Sequence, residues 1–455
     1  MTSVPLPLSV VVGLGFGDEG KGSLTDYLVR RTRASLVVRW NGGAQAAHRV
    51  VLPDGRSHIF SQLGSGSFVP GVETWHTAQV ALDLFSLRLE AETLAQKGVS
   101  RPLSRVWVEP ETPLITPWHR MLNRLEELVR GDQRHGSCGM GVGQTLLDAA
   151  HAERPCVRVR DLSSPRQLRE QLEAVAQAKK NQVPLLLEQL ASQSQADAEQ
   201  VIEAFETELK QPALVERVAD TWIRFLMTSG LRIGSRSILR ERLSREAAVL
   251  EGAQGTLLDP SVGFFPHVTV SPSSLKAALE LLDGLPRARI ETWGVFRAYQ
   301  TRHGAGPMPT ERAEDTRRLL DPANGPHPWQ GGFRVGPLDL PLIRHALAQG
   351  GSVDRLALTC IDRLVEREEV RFCTHYVEGW PADPLTRTEA LAQAKPVYHV
   401  LPGWSRSALQ RWCEAPSSRL PLELDAFVQQ IEAALGQKLD VLSCGETWQD
   451  KYLRA

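Results

Sequence analysis

The stretch Val10-Val11-Val12-Gly13-Leu14-Gly15-Phe16-Gly17-Asp18-Glu19-Gly20-Lys21-Gly22-Ser23 restricts this chain more than any other. Three successive β-branched residues predict a buried strand, the glycines permit a tight turn, and Ser23 to Val29 reads as helix. Gly15-x-x-x-x-Gly20-Lys21 has the spacing of a Walker-type loop, where backbone N–H groups and a helix N-terminus face phosphate oxygens and a lysine adds a point charge. Gly22 stands where such loops carry the Ser or Thr that holds Mg²⁺, so a metal here needs another ligand, and Asp18 is the nearest. The spacing leaves a second reading open: a glycine-rich strand-to-helix turn carrying two exposed acids.

Ser35-Leu36-Val37-Val38-Arg39-Trp40 reads as a second strand, ending in Asn41-Gly42-Gly43. A β-loop-α-β order predicts a parallel sheet with ligands at the carboxyl ends of its strands. His48 follows closely and is placed to face the first loop, although a lone histidine is more often a surface or satisfied core residue. The run from His135 to Gly143 is a second glycine-rich loop, suited to an anion through its N–H groups and Ser137, or else a plain connector. Ala248 to Thr256 is again a strand running into glycines, with Gln254 offering both a donor and an acceptor. Thr269, Ser271, Ser273 and Ser274 follow in a short polar segment of the kind that caps helices. Tyr299 to Pro307 reads as a rigid loop. Leu356 to Asp362 reads as a strand ending in an acid, and a carboxylate there suits guanine, whose N1–H and amino group supply two donors that adenine lacks.

The length of 455 residues with 42% hydrophobic content allows one large α/β domain with insertions or two to three ordinary domains. Residues 163–210 read as a helical insertion. Ser164 and Pro165 form its cap and first turn, Leu168, Leu172 and Val175 share a face, Pro184 interrupts, and Val201, Phe205 and Leu209 mark a second helix. The polar stretch from Ala313 to Gly336 reads as a mobile loop. With 52 basic against 53 acidic residues no global field recruits nucleic acid or an anionic membrane. Six cysteines without a C-x-x-C pair argue against a zinc site or a secreted disulfide framework, and no signal peptide or spanning segment is visible, so a cytoplasmic protein is expected.

Gly17-Asp18-Glu19-Gly20-Lys21-Gly22, the run Glu251 to Asp259, the run Thr301 to Glu311, and Pro402-Gly403-Trp404-Ser405 stand in collinear order, and the set resembles the adenylosuccinate synthetase family over nearly the whole chain. The resemblance implies one α/β domain over 1–455 with a mostly parallel central sheet, a P-loop-like nucleotide site and helical insertions, paired as a homodimer. It also implies a GTP- and Mg²⁺-dependent ligase of purine biosynthesis. In that reaction GTP phosphorylates O6 of inosinate, and the amine of aspartate then displaces the phosphate. Such chemistry needs a base for the purine N1 proton and an acid for the charge in transit. By position Asp18 is the base and a Mg²⁺ ligand, His48 the acid, and the carbonyl of Ala47 a second metal ligand. Gly17, Glu19, Gly20, Lys21 and Gly22 would cradle the phosphates. Gln45, Cys138, Gln254 and Thr269 fall at the purine nucleotide, Asp362, Ser443 and Gly445 at the guanine, and Arg334 in the amino-acid loop.

The departures from the family pattern cluster. The usual Gly-Gly-His-Asn-Ala-Gly-His-Thr reads here Gly42-Gly43-Ala44-Gln45-Ala46-Ala47-His48-Arg49, so Ala47 serves a metal only if its backbone avoids glycine-only conformations. The arginine-rich Thr-Gly-Arg-x-Arg-Arg-Thr-Gly-Trp segment corresponds to Trp329 through Pro337, where only Arg334 remains. Each lost charge-assisted bond to a carboxylate costs roughly 1.5 to 3 kcal/mol, which leaves the identity of the amine donor open. Cys360 replaces a lysine before Asp362, and Glu446-Thr447-Trp448 replaces Pro-Asp-Arg, which weakens the preference for guanine. Cys138, in place of a threonine, is a poorer phosphate donor. Two alternatives follow: a related enzyme acting on guanylate or deoxyguanylate, and a non-catalytic purine-nucleotide-binding protein with a regulatory or defence role.

Overall fold

The valines of the opening motif lie in β1 (Leu8–Gly13), every residue of which is buried. Val10 and Val12 join one hydrophobic cluster while Val11 joins another with Leu24 and Leu28, so the strand is covered on both faces. Such a strand belongs inside a parallel sheet flanked by helices. The computed structural model, which describes residues 6–131, 134–192, 203, 207, 211, 213–319, 329–416 and 419–454, places it there. After helix α1 (Lys21–Thr32) come β2 (Leu36–Arg39), β3 (His48–Val51), β4 (Ser57–Phe60), β5 (Glu73–His76), β6 (Val106–Val108), β7 (Arg232–Ile233) and β8 (Ala248–Glu251). The second half adds β9 (Ile290–Arg297), β10 (Tyr299–His303), β11 (Phe333–Asp339), β12 (Arg355–Thr359), β13 (Glu369–Tyr376), β14 (Pro396–Pro402), β15 (Leu439–Ser443) and β16 (Lys451–Leu453).

A ten-stranded sheet runs β16-β15-β12-β9-β1-β8-β2-β5-β6-β7. Each adjacent pair in it is parallel except β15 with β16. Strands β10, β11, β13 and β14 make a second sheet, and β3 with β4 a hairpin. Parallel strands bring their carboxyl ends to one edge, so the loops after β1, β2, β8, β9 and β12 share it. The mostly parallel α/β architecture expected from the sequence is present.

Several local expectations hold and others change. In the insertion, the helix Pro165–Lys180 is capped by Ser164, whose hydroxyl accepts from Gln167 N at 3.3 Å, and Leu168, Leu172 and Val175 are buried. Pro184 lies in the first turn of the next helix, Val183–Ala191. The helix expected over Val201, Phe205 and Leu209 falls outside the described residues. Tyr299 to His303, read as loop, is instead strand β10, because Phe333 to Pro337 offers it an antiparallel partner that no local signal announces. The strand before Asp362 stops at Thr359, and Cys360, at a φ of 61°, turns the chain so that Asp362 lies in a 3-10 turn. The stretch expected to be a mobile loop contains the helix Ala313–Arg318 and the start of β11, whose Phe333 and Val335 are buried, and its residues 320–328 lie outside the description. Among the described residues no helix is long and apolar enough to cross a membrane.

Candidate active site

The first loop is shaped by its own acid. Glu19, 3% exposed, accepts from the Gly15 and Gly17 amides at 3.0 and 2.7 Å and pairs with Lys21 Nζ at 2.6 Å. This sets aside the reading of two exposed acids on an ordinary turn. The carboxylate stands in for an anion: the amides and the ammonium already surround one negative group. Because a carboxylate only accepts, the donors that the loop offers a phosphate are its amides and Lys21 rather than the Glu19 side chain.

Asp18 takes a left-handed φ of 60°, and its Oδ2 lies 3.1 Å from His303 Nε2 at the end of β10. Its main-chain carbonyl accepts from Arg297 Nε at the end of β9. Burial raises the Asp18 carboxyl, but the hydrogen bond and charge of His303, together with Arg297 and Lys21, outweigh it and bring the pKa down to about 2.

His48 opens β3 and packs on the first turn of α1. A methyl group built on Gly22 would stand 2.7 Å from His48 Cβ and 3.1 Å from Ser65 Oγ. The position that carries a hydroxyl in Walker loops is therefore bare, and His48 occupies the space beside it. Its Nδ1 lies 2.6 Å from Oε1 of Glu251, at the carboxyl end of β8. Glu251 also accepts from Ser65 N at 2.9 Å and from Ser65 Oγ, with Arg39 4.0 Å away. Burial opposes a charge on Glu251, but Arg39, His48 and Ser65 hold its carboxyl down to about 2. Burial lowers His48 against the pull of Glu251. The ionised carboxylate makes Nδ1 the protonated nitrogen and leaves Nε2 to exchange a proton with a ligand. The sequence did not reveal Glu251, Ser65 and Arg39 as partners; Glu251 and Arg39 lay within strand stretches singled out there, and Ser65 in none.

Asn41 ties together the loops after β2 and β8: Oδ1 accepts from Ala253 N at 2.7 Å and Nδ2 donates to the Ala253 and Pro272 carbonyls at 3.1 and 2.9 Å. Beside it, Gln45 has both side-chain polar atoms buried without a protein partner. Gln254 donates Nε2 to Thr269 Oγ1 at 2.8 Å and leaves Oε1 buried without one. Unpaired buried amides are costly, so this pair marks a place where a polar ligand completes the hydrogen bonding. Ala47 adopts no positive φ, which keeps its carbonyl usable as a ligand. The half-buried Cys138 thiol is raised by burial, against the charges of Arg120 and Arg124. Its loop approaches the Thr269 segment where Gly143 meets Val270.

Thr359 carries the residues expected at the guanine to the same edge, since its hydroxyl donates to the Glu19 carbonyl at 2.7 Å. Burial raises the Asp362 carboxyl, and the nearby charges of Arg363 and Lys451 oppose this. Lys451 Nζ donates to the Gly445 and Thr447 carbonyls at 3.1 and 2.8 Å, and Ser443 Oγ to the Gly445 carbonyl at 3.3 Å. Asp362, Ser443 and Gly445 are thus brought together. Arg334 is engaged within the protein: it pairs with Glu311 at 2.7 Å and donates to the Gly306 carbonyl at 2.8 Å.

Among the described residues no group of three or more His, Cys, Asp or Glu is placed to hold a metal ion. This donor set fits Mg²⁺ held by one carboxylate, a carbonyl and nucleotide phosphate oxygens, the mode usual at phosphoryl-transfer sites.

Residues 10–452 match the family model described as adenylosuccinate synthetase. The chain is 32% identical over 452 residues to adenylosuccinate synthetase of Chlorobium chlorochromatii, covering 97% of this chain and 96% of that one. It is 32% identical over 450 residues to the Mycobacterium tuberculosis protein of the same name, with the same coverage. Among solved structures, fully ligated adenylosuccinate synthetase from Plasmodium falciparum matches with a TM-score of 0.78 at 20% identity, covering 99% of this chain and 100% of that one. Succinoaminodeoxyadenylate synthetase of cyanophage S-2L, bound to dGMP and dATP, matches with a TM-score of 0.59 at 16% identity, covering 99% and 96%. At those identities the two structures speak to the fold.

Proposed function

The chain belongs to the adenylosuccinate synthetase family of GTP- and Mg²⁺-dependent ligases, and from that premise we propose that it joins an amine to C6 of a 6-oxopurine nucleotide, inosinate first, through a 6-phosphoryl intermediate. The observation that carries this reading is that Asp18 and the His48–Glu251 pair meet at one glycine loop, so that a base and an acid flank a phosphate cradle. The unpartnered amides of Gln45 and Gln254 support a purine nucleotide beside them.

In this reading Asp18 takes the N1 proton, which makes O6 nucleophilic. Its low pKa keeps it ionised, and exchanging the His303 contact for the purine N1–H removes part of what makes it a weak base. His48, oriented by Glu251, donates from Nε2 to the phosphoryl group, whose negative charge favours the protonated imidazole. Lys21 and the loop amides hold the nucleotide phosphates, and Asp362 with the Ser443–Gly445 turn holds the guanine. Mg²⁺, held by Asp18, the Ala47 carbonyl and phosphate oxygens, would neutralise charge on the phosphates. A homodimer is part of the proposal, and light scattering checks it.

The test is inosinate labelled with ¹⁸O at O6, incubated with GTP, Mg²⁺ and a pool of amines. Label recovered in phosphate supports the reading, and phosphate released without label sinks it. Guanylate and deoxyguanylate, the latter prompted by the dGMP of the phage enzyme, and ATP in place of GTP, decide the purine and the phosphoryl donor.

A further inference from the structure

Four segments gather around His303, the partner of Asp18: 135–139, 265–267, 303–306 and 329–333. A methyl group on Gly304 would stand 2.5 Å from the Gln330 carbonyl oxygen and 3.4 Å from Gly136 Cα. One on Gly139 would meet Trp329 at 2.8 Å, and one on Gly306 would meet His267 Cβ at 2.8 Å. The His135 and His267 rings lie edge to face with centroids 6.5 Å apart, and the His303 ring lies 4.8 Å from that of Phe333. Three imidazoles, an indole and a phenyl ring thus belong to one group of segments, which meets Asp18 through His303.

The cations around them are already engaged. Arg334 holds Glu311 and the Gly306 carbonyl. Arg302, 2% exposed, donates to the Pro307 and His267 carbonyls at 2.8 and 3.2 Å and lies over the Phe16 ring at 4.1 Å. Arg124 donates to the Gly139 carbonyl at 3.1 Å and lies over Trp329 at 5.5 Å. Arg297 holds the Asp18 carbonyl and the Tyr299 hydroxyl. Residues 320–328, outside the described structure, contain no Lys or Arg. His267 and His135 do not substitute for them: burial, with Arg302, His135 and Arg334, holds His267 down to about 4, and burial also lowers His135. The neighbourhood is partly open, with His135, Ala305, Gly331 and Gly332 exposed, so a second carboxylate there would find one of these cations only by displacing a pair already made.

Resting on the ligase reading, we infer that this pocket receives the amine donor and selects one without a side-chain carboxylate: a simple amine, or an amino acid whose apolar or aromatic side chain packs on Trp329. In the step that follows, the amine nitrogen bonds to purine C6. The C6–O6 bond breaks, its electron pair leaves on phosphate, and the surplus amine proton is released to solvent.

The experiment separates the inference from the reading beneath it. Positional isotope exchange in GTP carrying ¹⁸O in the β,γ-bridge, with inosinate and Mg²⁺ but no amine, reports phosphoryl transfer alone; no exchange defeats the ligase reading itself. With exchange present, aspartate and glutamate are compared with leucine, phenylalanine and small primary amines by mass spectrometry of the purine product. A donor lacking the side-chain carboxylate is expected to exceed aspartate about tenfold or more in kcat/KM. Aspartate matching or exceeding every such donor, or no product from any of them, overturns the inference. Trp329→Ala is expected to raise the KM of the preferred donor about tenfold, and an unchanged KM counts against the proposal.

Discussion

Glu251 Oε1 lies 2.6 Å from His48 Nδ1, joining the carboxyl end of β8 to the first residue of β3 across a span of 203 residues. A carboxylate so placed sets which imidazole nitrogen carries the permanent proton and where the other points. Glu251→Gln keeps the shape but can present an N–H to His48. Because general acid catalysis contributes about 10²- to 10⁴-fold, kcat should fall by at least about 10²-fold with the KM for GTP little changed. Steady-state kinetics check this, and a change confined to KM would remove the orienting role.

Gly22→Ala probes the contact that brings His48 to the loop. The added methyl would lie 2.7 Å from His48 Cβ, and both sit in packed surroundings. Overpacking of this kind costs about 1–3 kcal/mol, so denaturant unfolding should show that loss together with reduced kcat. A variant as stable and active as the parent would mean that His48 does not pack there.

Much of the fold was legible, and the site only in outline. Val10 to Val12 and Leu36 to Val38 are short, continuous apolar runs that lead toward glycines, and such runs name strands of a parallel sheet without help from tertiary structure. The expected approach of His48 to the first loop follows from that sheet's geometry. What escaped were groups whose roles arise from distant partners. Spacing gave no sign that the Glu19 carboxylate fills the cradle, because any phosphate-shaped site also suits a carboxylate. His303 was passed over because β10 reads as loop until β11 is known to pair with it. His135, His267 and Phe333 are unremarkable one at a time and gain meaning only when four loops close on one another.

Asp362→Asn tests the proposal that Asp362 reads the guanine. The substitution removes the charge and one acceptor from the turn facing Ser443 and Gly445, so two donors of the base are no longer matched. A loss of about 1–3 kcal/mol in GTP binding is expected, with little change for ATP. Competition binding with both nucleotides checks it; an unaltered preference would place the base elsewhere.

The pH dependence of stability is predicted to centre on Asp339, which is fully buried and accepts from the Tyr376 hydroxyl at 2.9 and 3.0 Å. Burial raises its carboxyl to about 7, against the Tyr376 and Leu342 hydrogen bonds. The folded chain therefore keeps a proton that the unfolded chain releases near pH 4, about its ordinary value. Stability should fall as pH rises from about 4 to about 7 and then level off. Asp339→Asn can still cap the helix that begins at Leu340, and the fall in Tm between pH 5 and 8 should flatten in calorimetry. An equally steep fall in the variant would assign the effect to another group.

The central claim, that Asp18 activates a purine oxygen to take the γ-phosphoryl group of GTP, is tested most directly by donor-free positional isotope exchange in the wild type and in Asp18→Ala. The account predicts exchange that requires both inosinate and Mg²⁺ in the wild type and is lost in the variant, with circular dichroism showing both folded. Exchange that persists in Asp18→Ala, or that is absent from the wild type with every 6-oxopurine nucleotide, would contradict it.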